Sequence, residues 1–97
     1  MANGWRHLAL AVGVDDDRLP AYAEGLAEAL GGALEHCVDG PGVRLRGIIV
    51  GGHSYWVAYD DWFDEFTLEP RTAAAEAHLD AVLEQLKRSG YSYWPNR

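Results

Sequence analysis

The chain has 97 residues, the size of one domain and too short for two separate cores. A hydrophobic share of 48% supports a packed core and argues against disorder. Fifteen acidic and eight basic residues give a formal charge of −7, which repels phosphate backbones and makes a basic partner more compatible than nucleic acid.

The only cysteine is Cys37, so no intrachain disulfide forms and a reducing, cytoplasmic setting is the expectation. The apolar run from Leu8 to Val14 stops at Asp15-Asp16-Asp17. It is too short to span a membrane, and no small-residue cleavage site follows it.

In chain order, Trp5 to Val14 reads as a first strand, with Leu8, Leu10, Val12 and Val14 on one face and Trp5, His7, Ala9 and Ala11 on the other. Arg18 to Leu30 reads as a helix capped by Asp17, with Pro20 in its first turn. Leu19, Tyr22, Ala23, Leu26, Ala27 and Leu30 form its apolar stripe, and Gly31-Gly32 is a stop signal. Residues 33–38 suit either a short edge strand, with Leu34, His36 and Val38 alternating, or a helix running on through the glycines. The stop at Gly31 is the favoured reading.

Asp39-Gly40-Pro41-Gly42 reads as a turn and Val43 to Val50 as a β-branched strand. Gly51-Gly52-His53-Ser54 is then a hairpin loop, with Tyr55 to Tyr59 returning. Asp60-Asp61 is a second tight turn before a strand from Trp62 to Leu68. Pro70 opens a helix over Arg71 to Arg88, with Ala75, Leu79, Val82, Leu83 and Leu86 buried and Gly90 at its end. Tyr91 to Trp94 completes the order as a short strand. The order β-α-β-β-(β)-α-β indicates a single α+β domain, with a ferredoxin-like sandwich as the expected arrangement.

This reading pairs Val50 with Tyr55 and Tyr59 with Trp62. One sheet face then holds Ile48, Val50, Tyr55, Val57, Tyr59, Trp62, Phe66 and Leu68 as a core for two helices. The other holds Leu45, Gly47, Ile49, Trp56, Ala58 and Phe63, with Trp5 added by the first strand. That second face is too apolar for a sheet in water, so it is expected to be core, a homodimer face or a partner surface.

Candidate chemistry is sparse. His36, Cys37 and His53 suggest zinc, but neighbouring strand residues point to opposite faces and no ligand spacing is present. Cys37 beside a histidine suggests a nucleophile pair, against the commoner role of a small buried hydrophobe. His53, expected at an exposed hairpin tip, is the most site-like single residue, although Gly-Gly-His-Ser is adequate as plain turn chemistry. Asp60, Asp61, Asp64, Glu65 and Glu69, interleaved with Trp62, Phe63 and Phe66, suit an interface with a basic partner, against a solvated strand face.

The leading expectation is therefore a non-catalytic protein-binding module of the inhibitor, immunity or adaptor type, requiring no cofactor. Its binding residues would be Trp56, Phe63, Ile49, Trp5, His53, Asp60, Asp61 and Asp64. The alternatives are a dimeric small-molecule binder with a pocket lined by Trp5, Trp56 and Phe63, and an enzyme using His53 with a nearby carboxylate.

Overall fold

A computed structural model describes residues 5–12, 15–41 and 43–90. Among the described residues, five strands and three α-helices form an α+β fold. The strands are β1 (Leu8–Val12), β2 (Ala33–Gly40), β3 (Val43–Val50), β4 (His53–Asp60) and β5 (Glu65–Pro70). The helices are α1 (Leu19–Ala29), α2 (Ala73–Ala77) and α3 (Leu79–Ser89). The expected strand at Tyr91 to Trp94 lies outside the described residues.

All strand pairs are antiparallel, in the order β1-β5-β4-β3-β2. Strands β2 to β5 form a meander, and β1 joins at the β5 edge. Three strands thus separate β1 from β2, and the connection through α1 spans the sheet from one edge to the other. The α+β class matches the sequence expectation; the ferredoxin-like arrangement is not confirmed by this strand order.

Helix α1 ends as its glycines require. Gly31 takes a φ of +67°, Gly32 N–H donates to Ala27 O at 2.8 Å and Gly31 N–H donates to Glu28 O at 3.1 Å. This doubly bonded C-terminal motif satisfies carbonyls that the helix leaves open. The chain therefore leaves α1 as an extended strand, and residues 33–38 belong to β2. A Cβ on Gly32 would sit 2.1 Å from Ile49 O, so only glycine permits this close departure.

Two helix-start expectations need correction. Asp17 does not cap α1: it lies in a 3₁₀ turn over Asp16–Arg18, and no side-chain cap bond is made at Arg18. The single helix expected from Arg71 to Arg88 is two helices broken at His78. Thr72 Oγ1 accepts from Ala75 N–H at 3.0 Å and starts α2, while His78 N–H is shared between Ala74 O and Ala75 O.

One core unites the helices and one sheet face. Leu10, Ile48, Val50, Tyr55, Val57, Phe66 and Leu68 of the sheet pack with Leu19, Ala23, Leu26, Ala27 and Leu30 of the α1 segment. Ala75, Leu79, Val82 and Leu86 complete it from α2 and α3. Tyr55 is fully buried, and its hydroxyl donates to Ala75 O at 2.9 Å. Burial pushes the Tyr55 phenol up to about 12.

The β3–β4 register differs from expectation. Val50 pairs with His53 and Ile48 with Tyr55. Gly51 and Gly52 both adopt positive φ, +59° and +81°, which makes a two-residue turn instead of a four-residue loop. The slip is an even number of residues, so every side chain keeps its expected face.

The β4–β5 register also differs. Tyr59 pairs with Phe66 and Asp60 with Glu65, leaving residues 61–64 as a four-residue turn. Phe66 and Leu68 remain in the core. Trp62 leaves the core face and Phe63 leaves the second face, because both belong to the turn.

Candidate functional site

The β4–β5 turn carries the most exposed large hydrophobic side chains among the described residues. Trp62 is 85% exposed and Phe63 70%. Hydrophobic burial would favour neither position, so the turn must be held open by other forces. Its own carboxylates do this. Asp60 Oδ1 accepts the Trp62 backbone N–H at 2.9 Å, an Asx-type closure. Tyr59, half-buried and edge-on to Phe66, donates its hydroxyl to the Asp64 carboxylate. Asp64 adopts a φ of +48°, a left-handed conformation that aspartate tolerates better than most residues.

Acidic groups surround the aromatic pair. Asp61 and Asp64 are exposed, and Asp60 and Glu65 are half-buried at the base. Among the described residues, no lysine, arginine or histidine pairs with any of these four carboxylates. Among the described residues, the charge at this end of the sheet therefore has no cationic partner. The turn can insert two apolar rings into a pocket while its carboxylates meet cations at the rim.

The other expected site residues do not join this turn. Trp56 pairs with Gly47 and Glu69 on the helix-free face, four residues and roughly 13 Å of strand before Asp60. It is half-buried, with the Arg71 guanidinium 4.2 Å from its ring centroid and His36 at 5.8 Å. Arg71 is held in turn by Glu35 at 3.2 Å. This screen explains how Trp56 meets water on a face that no described helix covers. Gly47 assists it: a side chain there would meet the Glu35–His36 bulge of β2 at 3.0 to 3.3 Å. Ile49 lies half-buried on the same face, and Trp5 is half-buried ahead of β1. A pocket shared by Trp5, Trp56 and Phe63 is not assembled, because Phe63 sits beyond the strand end.

His53 is not at a hairpin tip. It is the first residue of β4, half-buried, with its ring 4.5 Å from that of His78. Its close partner is thus a second imidazole, where an acid–base pair would need a carboxylate. His36 and Cys37 lie on β2, and Cys37 is exposed. Among the described residues, no group of three or more histidine, cysteine or carboxylate side chains is placed to hold a metal ion.

Trp62 is the site residue that sequence reasoning placed in the core. A usable signal was present: Asp60, Asp61 and Asp64 favour turn conformations and local backbone bonds, so Asp-Asp-Trp-Phe-Asp admits a longer turn. Among the described residues, no helix is long and apolar enough to cross a membrane. Comparison with protein-family models, with curated proteins and with solved structures gives no match to this chain.

Proposed function

We propose that the chain is a non-catalytic, cytoplasmic protein-binding module that engages its partner through the β4–β5 turn. The partner surface offers an apolar pocket for Trp62 and Phe63, rimmed by lysine or arginine facing Asp60, Asp61, Asp64 and Glu65. The observation that carries this reading is the exposure of both rings, 85% and 70%, on a turn braced by hydrogen bonds from its own residues. Bracing lowers the ordering cost of binding, and a desolvated aromatic anchor supplies most of an interface's energy. The acidic collar disfavours insertion into an anionic lipid surface, which would repel it.

The test uses native chain and the Trp62→Ser/Phe63→Ser variant as paired baits, with folding of both checked by circular dichroism. A partner retained by the native chain, lost by the variant and released by rising ionic strength supports the proposal. A folded variant that retains the same partner with the same affinity contradicts it.

A further inference from the structure

We propose that the β2 edge is a second docking site, which takes an extended peptide segment bearing lysine or arginine as a sixth strand. It is carried by a different surface from the aromatic turn. Strand β2 pairs with β3 on one side and has no neighbour on the other among the described residues. All eight of its residues are exposed, including Leu34 at 48% and Val38 at 41%. Sheet edges are usually blunted by shortness, charged side chains, proline or a bulge. The opposite edge is short, since β1 has five residues, and Arg6 just before it clamps Glu76 at 2.7 Å and Asp80 at 2.9 Å. β2 is eight residues long and contains neither lysine nor proline; its bulge is confined to the stretch between Leu34 and Cys37, and its carboxylates Glu35 and Asp39 are held by Arg71 and Arg46.

A groove runs beside this edge on the helix side. One cavity of about 440 Å³ is lined by Pro20, Ala21, Glu24, Leu34, Cys37 and Arg46, among others. A second, of about 510 Å³, shares Ala21, Glu24 and Leu34 and reaches Glu28. The β2 bulge lies in the lining of the first, which Glu35 and His36 share with Leu34 and Cys37. Glu35 is committed to Arg71 and His36 lies against Trp56, so Leu34 and Cys37 are left to flank the gap beside α1. Strand addition supplies backbone hydrogen bonds at such an edge, and alternate side chains of the added strand enter the groove.

Charge specifies the occupant. The Arg46 guanidinium is held by Asp39 at 2.8 Å and 3.2 Å, so it is not free for an anion. Glu35 is neutralised by Arg71. Glu24 and Glu28, one helical turn apart on exposed positions of α1, have no cationic partner among the described residues. The groove therefore presents an apolar floor at Pro20, Ala21 and Leu34 beside two carboxylates without a cationic partner among the described residues. A segment whose groove-facing positions, two residues apart on the added strand, hold both apolar and cationic side chains matches both.

The probe is an acetylated, amidated eight-residue peptide in which every second residue is threonine and the positions between alternate valine and lysine, so that one strand face carries both. Its control carries the same charge but has alternate backbone nitrogens methylated, which removes edge hydrogen bonding. The proposal expects slowed amide exchange confined to residues 33–40, no binding by the methylated control, and affinity about tenfold weaker for Glu24→Lys/Glu28→Lys. The Trp62→Ser/Phe63→Ser variant should bind the probe unchanged, which separates this site from the aromatic turn. Unaltered exchange in residues 33–40 at millimolar peptide would overturn it, as would equal binding of the methylated control. Protection of the same amides by raising the protein's own concentration, without peptide, would assign the edge to a second copy and also overturn it.

Discussion

The two β-hairpin turns flanking β4 solve the same problem in opposite ways. At the β3–β4 turn, two glycines with positive φ reverse the chain in the smallest space, and His53 stacks against His78 of the helical layer. At the β4–β5 turn, four residues are used, their bracing comes from Asp60 and Asp64, and two large rings are left in water. The first turn is shaped by backbone freedom and packing. The second is shaped by side-chain hydrogen bonds and keeps its apolar groups available. The difference teaches that local side-chain bonds can hold large aromatic residues in water where packing would not place them.

The largest expected effect separates the rings of the second turn from the ring beneath them. Phe66→Ala should destabilise the fold by about 3–5 kcal/mol in urea unfolding, as a lost core aromatic. Trp62→Ala and Phe63→Ala should each stay within about 0.5 kcal/mol of the native chain. A large loss at Trp62 would place that ring in the core and erase the contrast.

The turns should next differ in what backbone change they tolerate. Gly52→Val forces a β-branched residue to a φ of +81° and should cost about 1–2 kcal/mol in thermal or urea unfolding. Asp64→Asn keeps both left-handed tolerance and an acceptor for Tyr59, so it should change stability by less than about 0.5 kcal/mol. Equal losses at the two positions would show that the second turn is as sterically closed as the first.

A smaller effect lies on the buried side of β4. Tyr55→Phe removes one hydrogen bond to Ala75 and should cost about 1 kcal/mol. The phenol is raised to about 12 in the folded chain against the ordinary value of about 10. Its contribution is therefore complete below pH 10 and is lost as pH rises from about 10 through about 12. Unfolding followed across that window should show this decline in the native chain and a flatter profile in Tyr55→Phe.

Much of the fold was legible because its signals are local and redundant. Gly31 and Gly90 stop their helices by left-handed backbone conformations that other residues resist, and Gly32 admits the close approach to Ile49. The alternation of Ile48, Val50, Tyr55 and Val57 set the core face, and that assignment survived a two-residue slip because side chains alternate with period two. The break at His78 was hidden, since the apolar stripe from Ala75 to Leu86 continues across it. The strand order was hidden too: element sequence does not state which edge β1 joins.

The site was only half legible. Asp60, Asp61, Asp64 and Phe63 were grouped in advance and are grouped in space. Trp62 was placed in the core because an aromatic beside a strand is usually buried, and the competing carboxylate bonds act over two or five residues. For Trp56, the sequence leaves core, a homodimer face and a partner surface open. Arg71 and Glu35, which screen it, are brought to it by strand pairing and by a bulge that no local pattern reveals.

The most direct test of the central claim is photocrosslinking from position 63. Phe63 is replaced by benzoylphenylalanine, the chain is irradiated with its partner present, and the crosslinked residue is identified by mass spectrometry. The account predicts a crosslink to an apolar position on another protein with lysine or arginine nearby in that protein's fold, suppressed by Asp61→Lys/Asp64→Lys. Crosslinks confined to the core of this same chain would contradict it, because they would place the ring of residue 63 inside the fold.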